Sequence, residues 1–214
     1  MRLIKHGHAC IRLESADRVL VVDPGVFSDS AAALDGVTDV LVTHEHPDHI
    51  DVDALVAAAA RDSAFRVHLP RSAAELLPQL GGAAVVVEVG ERFTAAGFTV
   101  DVVGGQHAEI YEGLPGCANV GFVVDEAVYH PGDALYVPQT PVTTLLVPAA
   151  APWLKLAEAL DFVRAVKPAR ALPIHDATLN DLGQDYFEGW MEAKGGTEFV
   201  RPAAGAVVEL GASG

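Results

Sequence analysis

Residues 41–51 read LVTHEHPDHID, in which three histidines and an aspartate fall within six positions after an apolar run. A buried strand needs no such residues, because it could end in ordinary turn-forming side chains. In an extended chain successive side chains point to opposite sides, so His44, His46 and Asp48 face one way and His49 the other. If the chain turns into a helix here, His44 and His46 meet at one place and Asp48 and His49 at another. The stretch therefore predicts two neighbouring metal sites.

Three further candidate ligands each follow a strand-like run: His107 after FTVDVVGGQ, Asp133 after AVYHPG and His175 after ARALPI. Loops at strand ends commonly carry functional side chains, and imidazole and carboxylate groups suit zinc, manganese or iron. Alone, His107 or His175 could equally be a structural histidine, but a cluster of ligands needs partners. The remaining histidines are interpreted as surface or packed core residues, with His8 also a candidate to approach the pocket: His6, His8, His68 and His130.

Strand-like and helix-like segments alternate along the chain. DALVAAAARD (53–62) predicts a helix with Asp51 as its N-cap. WLKLAEALDFVRAVKP (153–168) predicts a second, ending at Lys167 before a proline, and LNDLGQDYFEGWMEAKGG (179–196) a third. Short runs rich in Val, Ile and Leu predict the strands 3–7, 10–15, 18–25, 39–44, 65–70, 84–90, 98–105, 119–126, 127–132, 143–149, 169–175, 197–202 and 206–210. This order predicts two sheets sandwiched between helices.

Composition sets limits on the class of protein. The chain of 214 residues is 50% hydrophobic and 20% charged, which is enough core for one domain over 1–214, with disorder expected only at the final LGASG. A formal charge of −15 argues against nucleic acids and anionic membranes as partners. Cys10 and Cys117 form no CxxC motif, and the N-terminus does not look like a signal peptide. We therefore expect a soluble, cytoplasmic protein that acts on a small molecule, with homo-oligomerisation left open.

Four motifs resemble those of the metallo-β-lactamase superfamily: THEHPDH at 43–49, GGQH at 104–107, HPGD at 130–133 and PIHD at 173–176. The resemblance covers nearly the whole chain and implies an α/β fold, a four-layer αββα sandwich. It also implies one metal held by His44, His46 and His107, a second held by Asp48, His49 and His175, and Asp133 bridging the two. Asp23, in RVLVVDPG, would have a structural role beneath the metals.

One departure narrows the resemblance. Many members of the superfamily continue DHxGG, whereas this chain reads DHIDV. The opening GHACIRLE, the stretch HPGDALYVP and the modest length look most like the ascorbate-6-phosphate-lactonase-like group of metal-dependent hydrolases.

Two divalent ions can lower the pKa of a shared water toward neutrality and polarise a substrate oxygen. The resemblance therefore implies a hydrolase of esters, lactones, amides or phosphoesters, with Asp48 as the catalytic residue that orients the nucleophile. Zinc is the default metal, and manganese and iron accept the same ligands. The alternatives are a mononuclear iron dioxygenase acting on a persulfide, a nuclease of the tRNA-maturation type, and a metal-binding protein without turnover.

Neighbouring residues are expected to support this site. Thr43, Asp23 and Asp176 are candidates for fixing the histidine tautomers. Cys117 lies in a strand-like run, and we expect it in the core rather than among the ligands. The loops VFSDSAAALDG, AEIYEGLPG, ALYVP and AAAPWL are expected to form the rim, with these candidates for substrate contact: Tyr111, Tyr136, Trp153 and Lys155.

Overall fold

The computed structural model describes residues 1–114 and 116–211, which form two mixed β-sheets covered by helices. The first sheet contains β1 (Arg2–Gly7), β2 (Cys10–Ser15), β3 (Arg18–Val22), β4 (Asp39–Leu41), β5 (Arg66–Leu69) and β6 (Ala84–Val86) in that order. The second contains, in reverse order, β7 (Arg92–Ala95), β8 (Phe98–Gly104), β9 (Val120–Val124), β10 (Val128–His130), β11 (Thr144–Pro148), β12 (Arg170–Ile174) and β13 (Glu198–Phe199). β14 (Val207–Glu209) pairs with β1 at the edge of the first sheet.

Each sheet has an antiparallel half and a parallel half. β1, β2 and β3 are antiparallel neighbours, and β3 to β6 run parallel. In the second sheet β7 to β10 are antiparallel and β10 to β13 parallel. Parallel strands end at the same edge of a sheet. The loops that follow β3, β4, β10 and β12 are therefore gathered at one edge of each sheet, where functional groups of α/β folds commonly lie.

Helices cover the outer face of both sheets. On the first sheet, α1 (Ser30–Ala33), α2 (Val52–Arg61), α3 (Arg71–Leu76) and a 3-10 helix (Pro78–Ala83) follow the chain order, and Val40, Leu55 and Val67 belong to the core beneath them. On the second sheet, α4 (Leu156–Val166) and α5 (Asp181–Lys194) pack over Leu145 and Ala171. A third core fills the space between the sheets. These layers confirm the predicted αββα sandwich.

Helix ends follow the predicted local chemistry with one correction. Asp51 caps α2, since its side chain accepts a hydrogen bond from the backbone N–H of Ala54. α4 does not begin at Trp153 but at Leu156, because Glu158 accepts a hydrogen bond from the backbone N–H of Lys155 and sets the start of the helix there. That displacement frees Trp153 from the helix.

The sequence reading missed α1, α3, the 3-10 helix and β7, all of which have six residues or fewer. Such short elements carry too few periodic positions to be recognised without their tertiary partners. Disorder was predicted for residues 210–214, and of these, residues 212–214 lie outside the described part of the chain. Within the part of the chain that is described, no helix combines the length and apolarity needed to cross a bilayer.

Candidate metal centre

The loop between β4 and α2 carries four of the predicted ligands, and a tight turn directs them. The carbonyl of His46 accepts hydrogen bonds from the backbone N–H groups of His49 (3.0 Å) and Ile50 (3.1 Å). This turn brings Asp48 and His49 out of line with the two preceding histidines, as expected if the chain turns into the helix here.

The loop after β3 clamps this turn from below. A hydrogen bond from the backbone N–H of Val26 to the carbonyl of Pro47 measures 2.9 Å. Gly25 lies so close that a Cβ at this position would stand 1.9 Å from the carbonyl oxygen of Asp48. Only glycine allows this approach, which explains why the chain reads DPG there.

Three distant segments complete the site at the same edge. His107 follows β8, Asp133 follows β10 and His175 follows β12 directly. Asp133 is central: its Oδ1 lies 3.0 Å from His49 Nε2, and its Oδ2 lies 3.1 Å from His175 Nε2 and 3.3 Å from His107 Nε2. The structure therefore brings all seven predicted residues together.

The ligand atoms form two groups. We call His44, His46 and His107 the first cluster, and Asp48, His49 and His175 the second cluster, with Asp133 between them. In the first cluster His44 Nε2 lies 3.1 Å from His46 Nδ1, and in the second His175 Nε2 lies 3.2 Å from Asp48 Oδ2. The potential ligand atoms of each group lie within 4.8 Å of one another. The described residues thus contain two adjacent groups that could each hold a metal ion, with His8 near the second group and Asp133 near the first.

Hydrogen bonds to the outer nitrogen orient four of these histidines. The Nδ1 of His107 lies 2.5 Å from the carbonyl of Ala108, and that of His175 lies 2.6 Å from the carbonyl of Ala150. A carbonyl can only accept, so in the neutral rings the proton lies on Nδ1 and Nε2 has a free lone pair. Both lone pairs point into the site.

Asp23 and Thr43 orient the two buried histidines of the motif. His49 Nδ1 lies 2.7 Å from Asp23 Oδ2, and the hydroxyl of Thr43 donates to the same carboxylate at 2.7 Å. Because the Thr43 hydroxyl uses its one hydrogen in the hydrogen bond to Asp23, it can only accept from His44 Nδ1, which lies 3.0 Å away. The suggested supporting roles of Asp23 and Thr43 thus correspond to direct hydrogen bonds.

His8 and His130 show the opposite tautomer. The backbone N–H of Ala177 donates to His8 Nδ1 at 3.3 Å, so the proton of a neutral His8 ring lies on Nε2, which is 3.1 Å from Asp48 Oδ2. His130 Nδ1 likewise accepts from the backbone of Gly132, and its Nε2 donates to the carbonyl of Ala9. His8 therefore holds Asp48 as a hydrogen-bond donor, so of the two interpretations of His8 the structure shows the approach to the pocket and not a merely packed strand residue.

Several supporting residues escaped the sequence reading. Asn119, which is fully buried, accepts from the backbone N–H of Asp133 and donates to the carbonyl of Pro131. Its only signal was a polar residue at the start of the apolar run NVGFVV. Lys5 forms a buried ion pair with Asp176, next to His175. Asp176 thus positions the loop after β12 through its ion pair with Lys5. The prediction that Asp176 fixes a histidine tautomer is corrected accordingly.

Two residues near the rim differ from expectation or refine it. Cys117 is not a core residue: it is half-buried outside any strand, with Sγ 3.9 Å from His46 Nε2. Trp153 enters the site itself, because its indole N–H donates to Asp133 Oδ2 at 3.1 Å. Of the other rim candidates, Tyr111 is 74% exposed and Tyr136 42%, and Lys155 Nζ lies 3.9 Å from Glu158.

The charges of the two clusters differ. Burial lowers the pKa of His44 well below its usual value, and burial together with His107 lowers that of His46. Burial also acts on His49, but Asp133 and Asp23 outweigh it and raise the pKa of His49 to about 10. In the same way Asp133 and Asp48 overcome burial and raise the pKa of His175 to about 9. The second cluster therefore attracts positive charge most strongly.

The backbone is strained where these groups converge. His8, Asp23 and His175 all adopt positive φ, at 45°, 50° and 55°. Non-glycine residues rarely adopt this region, and each instance costs of order 1–3 kcal/mol. Strain at three positions around one site indicates that the fold holds these side chains for a purpose beyond packing.

The hydrogen bonding of the buried polar atoms indicates that these residues fit a metal centre. Among the described residues, the buried Nε2 atoms of His49, His107 and His175 and the Oδ1 of Asp133 have no hydrogen-bond partner of suitable geometry. A buried polar atom without a partner costs about 1–3 kcal/mol, so four at one place favour a bound ligand. Bound cations would satisfy all four, since each atom offers a lone pair once His49 and His175 have released a proton.

Comparison with known proteins agrees with this geometry. Residues 2–175 match the model of the beta-lactamase superfamily domain, and the chain belongs to that family. It is 39% identical to Protein Rv0786c of Mycobacterium tuberculosis, over 97% of this chain and 99% of that protein. It is also 28% identical to the UPF0173 metal-dependent hydrolase Ta0764 of Thermoplasma acidophilum, over 86% of this chain and 87% of that protein.

Solved structures show the same fold. Igni18, described as a novel metallo hydrolase from Ignicoccus hospitalis, superimposes with a TM-score of 0.74 at 20% identity and covers 97% of both chains. The metallo-beta-lactamase fold protein YhfI of Bacillus subtilis gives a TM-score of 0.75 at 16% identity, over 97% of this chain and 98% of that one. The narrower resemblance to the ascorbate-6-phosphate-lactonase-like group stays a prediction.

Proposed function

We propose that this protein is a metal-dependent hydrolase in which two divalent ions activate water against an ester, lactone or phosphoester. The observation that carries the proposal concerns four histidines. A hydrogen bond at Nδ1 of each ring directs its Nε2 atom into the site: His44, His49, His107 and His175. The name of the Thermoplasma relative, a metal-dependent hydrolase, supports the same class.

The side chains divide the task as follows. His44, His46 and His107 would hold one ion, Asp48, His49 and His175 the other, and Asp133 would contact both. When bound, such ions lower the pKa of a shared water and polarise the substrate oxygen. Zinc suits this donor set best, and manganese or iron would be accepted. Asp23 and Thr43 keep two ligand rings in the productive tautomer.

Asp48 is the proposed catalytic residue. Its Oδ2 lies near both His8 Nε2 and His175 Nε2, at 3.1 and 3.2 Å, which fixes the carboxylate in one orientation. Burial opposes ionisation of Asp48, but these imidazole contacts outweigh burial and hold its pKa well below the usual value. The carboxylate therefore remains charged, ready to accept a hydrogen bond from the attacking water and orient it.

The rival functions differ in metal requirement. A mononuclear iron dioxygenase would need only the first cluster, yet the second cluster is complete and supported by Asp23 and His8. The two cysteines are free, which supports our placing the protein in a reducing, cytoplasmic compartment. The charge of −15 speaks against a nuclease.

Metal content per chain, measured by elemental mass spectrometry on protein purified without chelator, tests the proposal. We expect two equivalents of zinc or manganese, falling to about one in His175→Gln. His68→Gln is the matched control, since His68 pairs with Asp39 on β4 and is absent from both clusters. One equivalent of iron would favour the dioxygenase, and none after reconstitution would overturn the metal centre. Two metals without hydrolysis of lactones, thioesters or phosphodiesters would indicate a binding protein.

A further inference from the structure

A cleft of about 260 Å³ opens directly beside the first cluster. His46 and His107 form its inner wall, so anything bound in the cleft meets the metal centre. Its volume lies just below the range of about 300–1,000 Å³ that is typical for drug-sized ligands. The remaining lining residues come from one loop, the segment after β8: Gln106, Ala108, Glu109, Ile110, Leu114, Gly116 and Cys117.

Two large apolar side chains line this cleft beside its polar groups. Ile110 and Leu114 expose 37% and 56% of their surface although they are large apolar residues. Ala108 and Cys117 also line the cleft, and Cys117 Sγ lies 3.9 Å from His46 Nε2. Burial of apolar surface is favourable. An apolar ligand that covers exposed apolar side chains at a functional site therefore binds with a more favourable free energy.

The cleft lacks the groups that bind phosphate. Among its described lining residues there is no lysine or arginine, and Glu109 contributes a carboxylate. Of the cations close to the site in sequence or contact, Lys5 is buried against Asp176, and Lys155 lies near Glu158. Phosphoryl groups are usually bound by arginine, lysine or free backbone N–H groups at a helix N-terminus.

The nearest helix N-terminus is also occupied. α2 begins just after the DHID segment, but the carboxylate of Asp51 accepts the hydrogen bond of the Ala54 backbone N–H at 3.0 Å. A protein carboxylate thus takes the position where a phosphate oxygen would bind. Apart from the proposed ions, neither the described lining of the cleft nor the helix start thus supplies a protein group that would bind an anionic substrate.

Resting on the function proposed above, we propose that the substrate is an uncharged carboxylic ester or lactone with a short apolar acyl chain, bound along Ile110 and Leu114. The attacked centre is then carbon rather than phosphorus. Water oxygen bonds to the acyl carbon, the bond from that carbon to the ester oxygen breaks, the leaving alkoxide takes one proton, and the carboxylic acid releases another to solvent. A lactone opens by the same steps into a hydroxy acid.

A chain-length series tests this assignment with the metal-loaded protein. p-Nitrophenyl acetate, butyrate and hexanoate share one leaving group, as do p-nitrophenyl methyl phosphate and p-nitrophenyl hexyl phosphate. We expect kcat/KM on the carboxylic esters to rise about fourfold for each methylene that the cleft covers. Ile110→Ala and Leu114→Ala should flatten that rise, whereas Leu182→Ala, an equally drastic truncation at an exposed position of α5, should leave it unchanged.

Reversing the charge of the cleft provides a second readout. Glu109→Lys should raise the ratio of kcat/KM on the phosphodiesters to kcat/KM on the carboxylic esters severalfold. Faster turnover of phosphodiesters than of every ester and lactone, or a flat chain-length series in the unmodified protein, would overturn the substrate class alone. Failure to hydrolyse any of these compounds with two metals bound would overturn the proposed function itself.

Discussion

The two clusters of the centre are built from similar residues but differ in support and in charge. The first cluster consists of three imidazoles, and its His46 lines the open cleft. The second contains a carboxylate, Asp48, and His49 is fully buried upon Asp23. The two clusters of one site thus differ: the first is open to the cleft, and the second is buried and stabilises positive charge.

The difference follows from where carboxylates lie. His44 and His46 face mainly other imidazoles, so burial and mutual repulsion keep their pKa values low. His49 and His175 face Asp133 and further carboxylates, which raise their pKa values. We infer that the second cluster carries protons near neutral pH in the metal-free chain, whereas the first has free lone pairs. Substitutions and pH should therefore affect the two clusters unequally.

The largest effect is expected from Asp48→Asn, which breaks the second cluster alone. The amide keeps the shape but cannot supply the negative charge that binds metal and orients water. We expect the rate of ester hydrolysis to fall about 1,000-fold or more, with the fold and the first metal retained. Steady-state kinetics and metal content measure this, with Asp53→Asn on the exposed face of α2 as control. Substantial activity in Asp48→Asn would contradict the assignment.

Gly25→Ala should damage the same cluster through the backbone. A Cβ at Gly25 would overlap the carbonyl of Asp48, so the turn must shift. We expect the free energy of unfolding of the metal-free protein to fall by about 3 kcal/mol in urea titrations. Gly189→Ala in α5 meets open space and should be neutral or stabilising by up to about 1 kcal/mol. Equal effects of the two substitutions would refute the clamp.

Acidification should separate the clusters. The pKa values of His49 and His175 are raised to about 10 and about 9, so a metal at the second cluster must displace protons as it binds. Lower pH favours those protons, and affinity there should fall about 10-fold per pH unit for each proton displaced. The pKa values of His44 and His46 are lowered, so the first cluster should respond less.

Calorimetric zinc titrations between about pH 6 and pH 8, repeated in buffers of different ionisation enthalpy, measure this proton release. His175→Gln should abolish the steeper phase and leave the shallow one. Two binding phases with the same pH dependence would show that the clusters are electrostatically equivalent.

A smaller effect is expected from His8→Phe, which keeps a ring beside Phe27 but removes the hydrogen-bond donor to Asp48. Loss of such an outer partner typically costs about 10- to 100-fold in metal affinity or activity. The loss should fall on the second metal, as read by metal content during dialysis. His6→Phe, two residues earlier on β1, is the control. If both variants lose metal equally, His8 has only a packing role.

Much of this site could be predicted from the sequence because its candidate metal ligands are histidines and aspartates at unusually close spacing. Four of them lie in one loop, where the alternation of an extended chain and a single turn determine their grouping. His107, Asp133 and His175 were predicted as members only because the cluster needed partners. His8 was a candidate to approach the pocket, but its hydrogen bond to Asp48 could not be foreseen, since its tautomer depends on the backbone N–H of Ala177, far along the chain.

The fold was predictable to a similar degree. Long apolar strands and the helices α2, α4 and α5 have clear periodicity and caps. The start of α4 was placed three residues early, because the apolar character of Trp153 resembles a helical position until its contact with Asp133 is known. Cys117 was assigned to the core for the same reason: an apolar run does not reveal which sheet edge it reaches.

The sequence by itself determined the kinds of ligand, their order and the fold class, since these depend on residue type and local spacing. Only the tertiary structure decided which nitrogen of each histidine faces the centre, because that choice depends on carbonyl and carboxylate groups from distant segments. It likewise decided the character of the cleft, where the loop after β8 brings apolar side chains beside His46. Local spacing cannot encode such contacts, because they form only when both sheets have packed together.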